Sequence, residues 1–129
     1  MTLTEYLRDA AARPFVWGQC DCCLFAADWV QAKTGIDPAS AMRGEYHSEL
    51  GAREIIQSAG GLRELVGHNL NAEGFFEAHV PQEGDIGLLR LPIHGETVGI
   101  RTSIGRWAFK TKRGIFSAAV PDLIAAWSL

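Results

Sequence analysis

Three cysteines, Cys20, Cys22 and Cys23, fall within the run Phe15 to Trp29, FVWGQCDCCLFAADW. Thiols packed this closely can serve as a nucleophile or as soft metal ligands. Counting from Cys22, the residues at i+3, i+4, i+7 and i+8 are Phe25, Ala26, Trp29 and Val30, an apolar stripe at helical spacing. This places Cys22 in the first turn of a buried helix, on its core-facing side. Unpaired N–H groups and the positive end of the helix dipole favour an anion there, so the thiol can be depressed in pKa and act as a nucleophile. The alternative is a buried cysteine that packs as a small hydrophobe. A metal site is not expected, because C-x-C-C lacks a second ligand pair at zinc-site spacing. No other cofactor is expected either, since no P-loop, Rossmann fingerprint, EF-hand or HExxH pattern occurs.

A nucleophilic cysteine needs a base and a group to orient it. His94 stands in a turn entering a strand that starts near Val98, which makes it the best-placed candidate; its alternative is an exposed turn histidine beside Gly95. His68 and His79 lie in loop-like segments and are weaker candidates, and His47 follows Tyr46 in a loop. Gly84-Asp85 reads as generic turn chemistry. The group Lys110, Lys112 and Arg113 reads as a solvated hairpin tip, and Trp17, Trp29, Trp107 and Trp127 as core.

The elements that must position these residues divide the chain in two. Thr2 or Thr4 can cap a first helix with Leu3, Tyr6, Leu7 and Ala10 on one face, stopped by Pro14. The cysteine helix runs from about Asp21 to Thr34, with Gly35 as its C′ residue. Asp37-Pro38 opens a short helical turn to Met42, and Arg43 to His47 is a loop. Ser48 caps a helix with the stripe Ala52, Ile55, Ile56 and Ala59, ended by Gly60-Gly61; Leu62, Leu65 and Val66 add one or two further turns. After His68 the pattern becomes strand-like: Ile86 to Leu91, Val98 to Thr102, Arg106 to Lys110, Ile115 to Ala118, and a last apolar run from Ile124 to Leu129. Helices followed by strands imply an α+β domain, with N-terminal helices packed on a small C-terminal antiparallel sheet.

The 129 residues are expected to form a single domain, 1–129, and the 47% hydrophobic content is enough for a real core. A net charge of −3 gives no electrostatic case for nucleic acid. No apolar run approaches the roughly 18 residues needed to cross a bilayer, so membrane insertion is not expected. The N-terminal residues do not read as a signal peptide, which implies synthesis in a cytosol. Cysteines confined to Cys20–Cys23 cannot frame disulfides.

Trp17-Gly18, Asp21-Cys22 before a buried helix, Gly84-Asp85 before a strand, and Val98-Gly-Ile100 together resemble the NlpC/P60 cysteine peptidases. These have a papain-like fold and cut stem peptides of bacterial cell walls. The resemblance implies that Cys22 matches the nucleophile. Nearly the whole chain is also similar to a family of small phage and prophage proteins of unassigned function. The shared pattern is carried here by Pro14 to Asp28, Arg43 to Tyr46, Gly60-Gly61 and Ala126-Trp127. The chain departs from the peptidase pattern at the catalytic histidine, where Thr97 stands; the histidine is three residues earlier, at His94. Arg106 and Lys110 occupy the next strand, with no His, Asn or Gln, and Cys23-Leu24 replaces Ser-Gly.

These resemblances imply a papain-like, NlpC/P60-type component of a phage tail tip, made in the bacterial cytoplasm and carried in the virion tail. It would be a structural or assembly protein with a degenerate site, contacting hub and distal-tail proteins. The alternative is a cysteine peptidase cutting peptidoglycan stem peptides during DNA entry, with Cys22 as nucleophile and His94 as displaced base.

Overall fold

In the computed structural model, which describes residues 1–129, the Thr2 hydroxyl accepts the Glu5 N–H at 3.1 Å and opens helix α1, Leu3–Ala11. Leu3, Tyr6 and Ala10 form its buried face. Helix α2, Cys22–Thr34, begins at an Asp21 cap and ends at Gly35, whose φ of 82° suits a residue without a Cβ. Ser48 caps α3, Glu49–Ser58, by accepting the Gly51 N–H at 3.0 Å. No residue of α3 is fully buried; Ile56 reaches the edge of the core.

Two readings of the sequence need correction. Leu62 begins a full helix, α4, Leu62–Ala72, rather than one or two turns, because Leu65 and Leu70 continue its buried stripe past His68. Residues 38–44 form turns and not a helical segment. Asp37 makes the expected capping contact, its carboxylate accepting the Ala39 N–H at 3.0 Å and gripping Arg43 Nε at 2.8 Å, but only turns follow it.

Five strands follow: β1 Ile86–Leu91, β2 Gly95–Ser103, β3 Arg106–Thr111, β4 Gly114–Ala119 and β5 Leu123–Trp127. They form one antiparallel sheet in the order β4-β3-β2-β1-β5. The fold is therefore α+β, with the helices on one face of the sheet. β2 starts earlier than its apolar run suggests, because Glu96 and Thr97 pair with Arg90 and Leu89.

Alternation along the strands builds two cores. Ile86, Leu88, Val98, Ile100 and Ala108 face Tyr6, Phe25, Trp29 and Val30 of α1 and α2. On the opposite face Leu89, Leu91, Trp107, Phe109 and Ala126 are buried with Val120 of the β4–β5 connection. That second cluster contains no helical residue; strand side chains and Val120 alone bury it. Trp107, 1% exposed, is its largest side chain. A Cβ on Gly87 would stand 2.4 Å from Trp107 Cζ3, so the indole occupies the space that any side chain at position 87 would need.

Gly87→Ala is expected to overpack the second core and cost about 1–3 kcal/mol. Gly67→Ala in α4 is the matched control. Its Cβ would meet Trp127 Cζ2 at an ordinary 3.5 Å, and better helix propensity should stabilise by up to about 1 kcal/mol. Urea unfolding of the two variants should therefore show midpoints moving in opposite directions.

Candidate functional site

The site is organised by Asp21, a carboxylate only 1% exposed. Its Oδ1 accepts the N–H groups of Cys23 at 3.1 Å and Leu24 at 3.0 Å, capping α2. Its Oδ2 accepts the Gly18 N–H at 2.9 Å and a short hydrogen bond from the Tyr46 hydroxyl. Burial, then the bond to Asp21 and its charge, pushes the Tyr46 phenol far above the usual tyrosine range, so it remains a donor.

The Trp17-Gly18 turn and the Arg43 to Tyr46 loop interlock around this carboxylate. Gly44 N–H reaches Gly18 C=O at 2.9 Å. A Cβ on Gly18, whose φ is 80°, would lie 1.9 Å from Tyr46 C=O. Arg43 meets both Asp28 on α2, at 2.7 Å, and Asp37, at 2.8 Å. The Arg43 hydrogen bonds hold the Asp37 carboxyl below its ordinary range. These contacts give Asp28, Arg43 and Tyr46 structural tasks that the sequence reading did not assign.

Cys22 is half-buried and lines a groove of about 860 Å³. It does not face the core, as its helical phase suggested; Cys23 is the cysteine that packs against the main core. The predicted stripe of Phe25, Ala26, Trp29 and Val30 is buried as expected, but at the helix start the Cys22 side chain lies past the edge of that core. A hydrogen bond from the Cys23 thiol lowers the Cys22 pKa against the opposing effects of burial and the Asp21 charge, with help from the Cys22 and Cys23 N–H groups. Cys23, giving that hydrogen bond and buried beside a thiolate, is raised well above the ordinary value.

His94 lines the same groove from the β1–β2 turn, residues 92–94, where it is exposed. No imidazole is among the groups that set the Cys22 titration. Thr97 also lines the groove, buried in β2 opposite Leu89. The Leu24 N–H expected to serve an anion at the helix start is spent on Asp21, and the Cys23 N–H is shared between Asp21 and the Cys22 sulfur. No group of three His, Cys, Asp or Glu side chains converges as metal ligands.

The hairpin residue Lys110 corrects another reading. It is 2% exposed rather than solvated, with Nζ 3.0 Å from Arg13 C=O and 2.8 Å from Cys20 Sγ. Lys112 and Arg113 do remain at the surface. Gly84-Asp85 is also more than a turn. Gly84 C=O accepts the Trp29 indole N–H at 2.8 Å, and the Asp85 carboxylate accepts the N–H groups of Gln82 at 2.8 Å and Leu129 at 3.3 Å. These bonds join α2, β1 and the last residue of the chain.

A family model described as Domain of unknown function (DUF6950) matches residues 1–129. The chain belongs to this family. No curated protein and no solved structure matches it. For this DUF6950 member the side-chain geometry above therefore carries the functional reading. No helix is long and apolar enough to cross a membrane.

Two outcomes test this geometry. Tyr46→Phe removes a hydrogen bond to a buried charge and is expected to cost about 1.5–3 kcal/mol in chemical denaturation. Because the Cys22 thiolate is favoured, its alkylation should reach half-maximal rate at a lower pH than an ordinary cysteine. Cys23→Ala, which deletes the donor, should move that midpoint upward, and Cys23→Ser should move it less. Peptide mapping of the label assigns the rate to Cys22.

Proposed function

We propose that this chain is a phage tail-tip component with an NlpC/P60-like, papain-type fold and a degenerate catalytic site, acting in assembly or structure rather than in hydrolysis. The observation that carries this reading is the Cys22 environment. The thiol answers to Cys23, Asp21 and backbone N–H groups, with no imidazole acting on it. Asp21 is committed to four hydrogen bonds and its charge opposes the thiolate. Thr97, at the position that the resemblance gives to the histidine, has no side chain able to take a proton from sulfur at neutral pH. Without its base a cysteine hydrolase loses most of its rate.

Docking on hub and distal-tail proteins accords with the exposed apolar side chains at the groove rim, Ile93 and Phe116. The protein would be made in the host cytoplasm and retained in the virion tail.

A second reading, a peptidase acting on peptidoglycan stem peptides, is favoured by one specific observation. Cys22 and His94 line one groove, and the Cys22 pKa is already lowered. The base would then be His94, brought over the groove from its turn.

Complementation of a phage lacking this gene separates the two. Particles carrying Cys22→Ser or His94→Ala are expected to assemble and infect as well as wild type, with the chain detected in purified virions by mass spectrometry. Muropeptide digests should be unchanged by the purified protein. Particles that assemble normally with Cys22→Ser yet fail to deliver DNA, together with Cys22-dependent release of cut stem peptides, would establish the peptidase instead.

A further inference from the structure

Lys110 and Cys20 form a buried pair that neither reading of the groove uses. Lys110 takes part in no ion pair; its Nζ has the Arg13 carbonyl at 3.0 Å and the Cys20 sulfur at 2.8 Å. The sulfur contact is the shorter of the two although sulfur is the larger atom. Both partners are held in place. Cys20 closes a tight turn by exchanging backbone hydrogen bonds with Val16, at 2.8 and 2.9 Å. Lys110 is fixed in β3 opposite Ile115 and is 2% exposed. Lys110 also lines the groove, while Cys20 behind it is 9% exposed, so oxidation of the pair requires peroxide to pass the lysine or the Val16–Cys20 turn.

We propose that Cys20 and Lys110 are a redox modification site, joined by a single oxygen atom into a reversible Cys–S–O–N–Lys cross-link. The separation of 2.8 Å suits an inserted oxygen; a direct S–N bond would require the two segments to close much further. Fixing both atoms beforehand makes the joining step effectively intramolecular.

The chemistry balances with two equivalents of peroxide. The first oxidises the thiol to a sulfenic acid and releases water. The second removes the sulfenic O–H hydrogen and one amine N–H hydrogen as the O–N bond forms, and is itself reduced to two waters. Sulfur ends at the sulfenyl level and nitrogen at the hydroxylamine level. Four equivalents of an external thiol return the free thiol, the amine and one water, with two disulfides as the oxidised product. The bridge would tie the residue two positions before Cys22 to the neighbouring strand, fixing one wall of the groove.

The test is peptide mapping of the full chain after hydrogen peroxide, before and after dithiothreitol. The expected result is a linked pair of peptides containing Cys20 and Lys110, heavier than their sum by one oxygen less two hydrogens. Dithiothreitol should remove it completely. Cys20→Ala and Lys110→Arg should each abolish it, and Lys112→Arg should leave its yield unchanged. The wild-type map decides the matter by itself if the buried variants fold poorly. Whole-oxygen gains at Cys20 with no linked pair, or a linked pair lacking the oxygen, would overturn the proposal.

Discussion

The buried carboxylate of Asp21 is the constraint on which the rest of the structure depends. A charge removed from water is tolerated only when donors surround it. Here four donors come from three separate stretches: the Trp17-Gly18 turn, the first turn of α2, and Tyr46. Satisfying Asp21 therefore fixes where α2 begins, how the preceding turn folds, and where the following loop returns. The helix that Asp21 caps in turn supplies Phe25, Ala26, Trp29 and Val30 to the main core against β1 and β2. Gly18 and Tyr46 approach so closely that neither segment can be repositioned alone.

Local signals made most of the fold legible. Thr2, Ser48, Gly35 and Gly60-Gly61 mark helix ends through chemistry that acts within a few residues, and the structure has helix ends at each of them. Strand alternation located all five strands to within a few residues. The failures share a cause. Lys110 looks like a hairpin-tip charge until Arg13 and Cys20, some 90 or more positions away, supply its partners. The extension of α4 past His68 depends on burial against the sheet, and the full extent of β2 on pairing with β1. Contacts of this range leave no trace in periodicity. The candidate site was legible as a place, since Cys22 and His94 do share a groove. It was not legible as an electrostatic environment, because helical phase predicted a core-facing Cys22 with free N–H groups.

That difference bears on chemistry. The positive end of α2 is the feature that would activate a thiol at its first turn. In this chain the Asp21 carboxylate sits on that end and accepts the N–H groups of Cys23 and Leu24. A fixed negative group at the helix start answers the dipole before the sulfur does. The largest stabilising contact left to Cys22 is the neighbouring Cys23 thiol, a weak donor, with smaller help from the Cys22 and Cys23 N–H groups. The site thus holds a thiolate more easily than free cysteine does, and no imidazole is among the groups that set that preference.

The same reasoning gives the peptidase-like motif an origin in folding. Trp17-Gly18 and Asp21-Cys22 suggest catalysis when considered alone, but several positions in the run have structural tasks here. Gly18 has no room for a Cβ, Asp21 caps the helix, and Asp28 receives both Arg13 and Arg43. Arg43, Gly44 and Tyr46 complete those contacts from the other side. Any chain with this fold has to keep these residues to satisfy the buried Asp21 carboxylate, whatever chemistry its groove performs. Thr97, buried in β2 opposite Leu89, belongs to the sheet and takes no part in the Asp21 cluster.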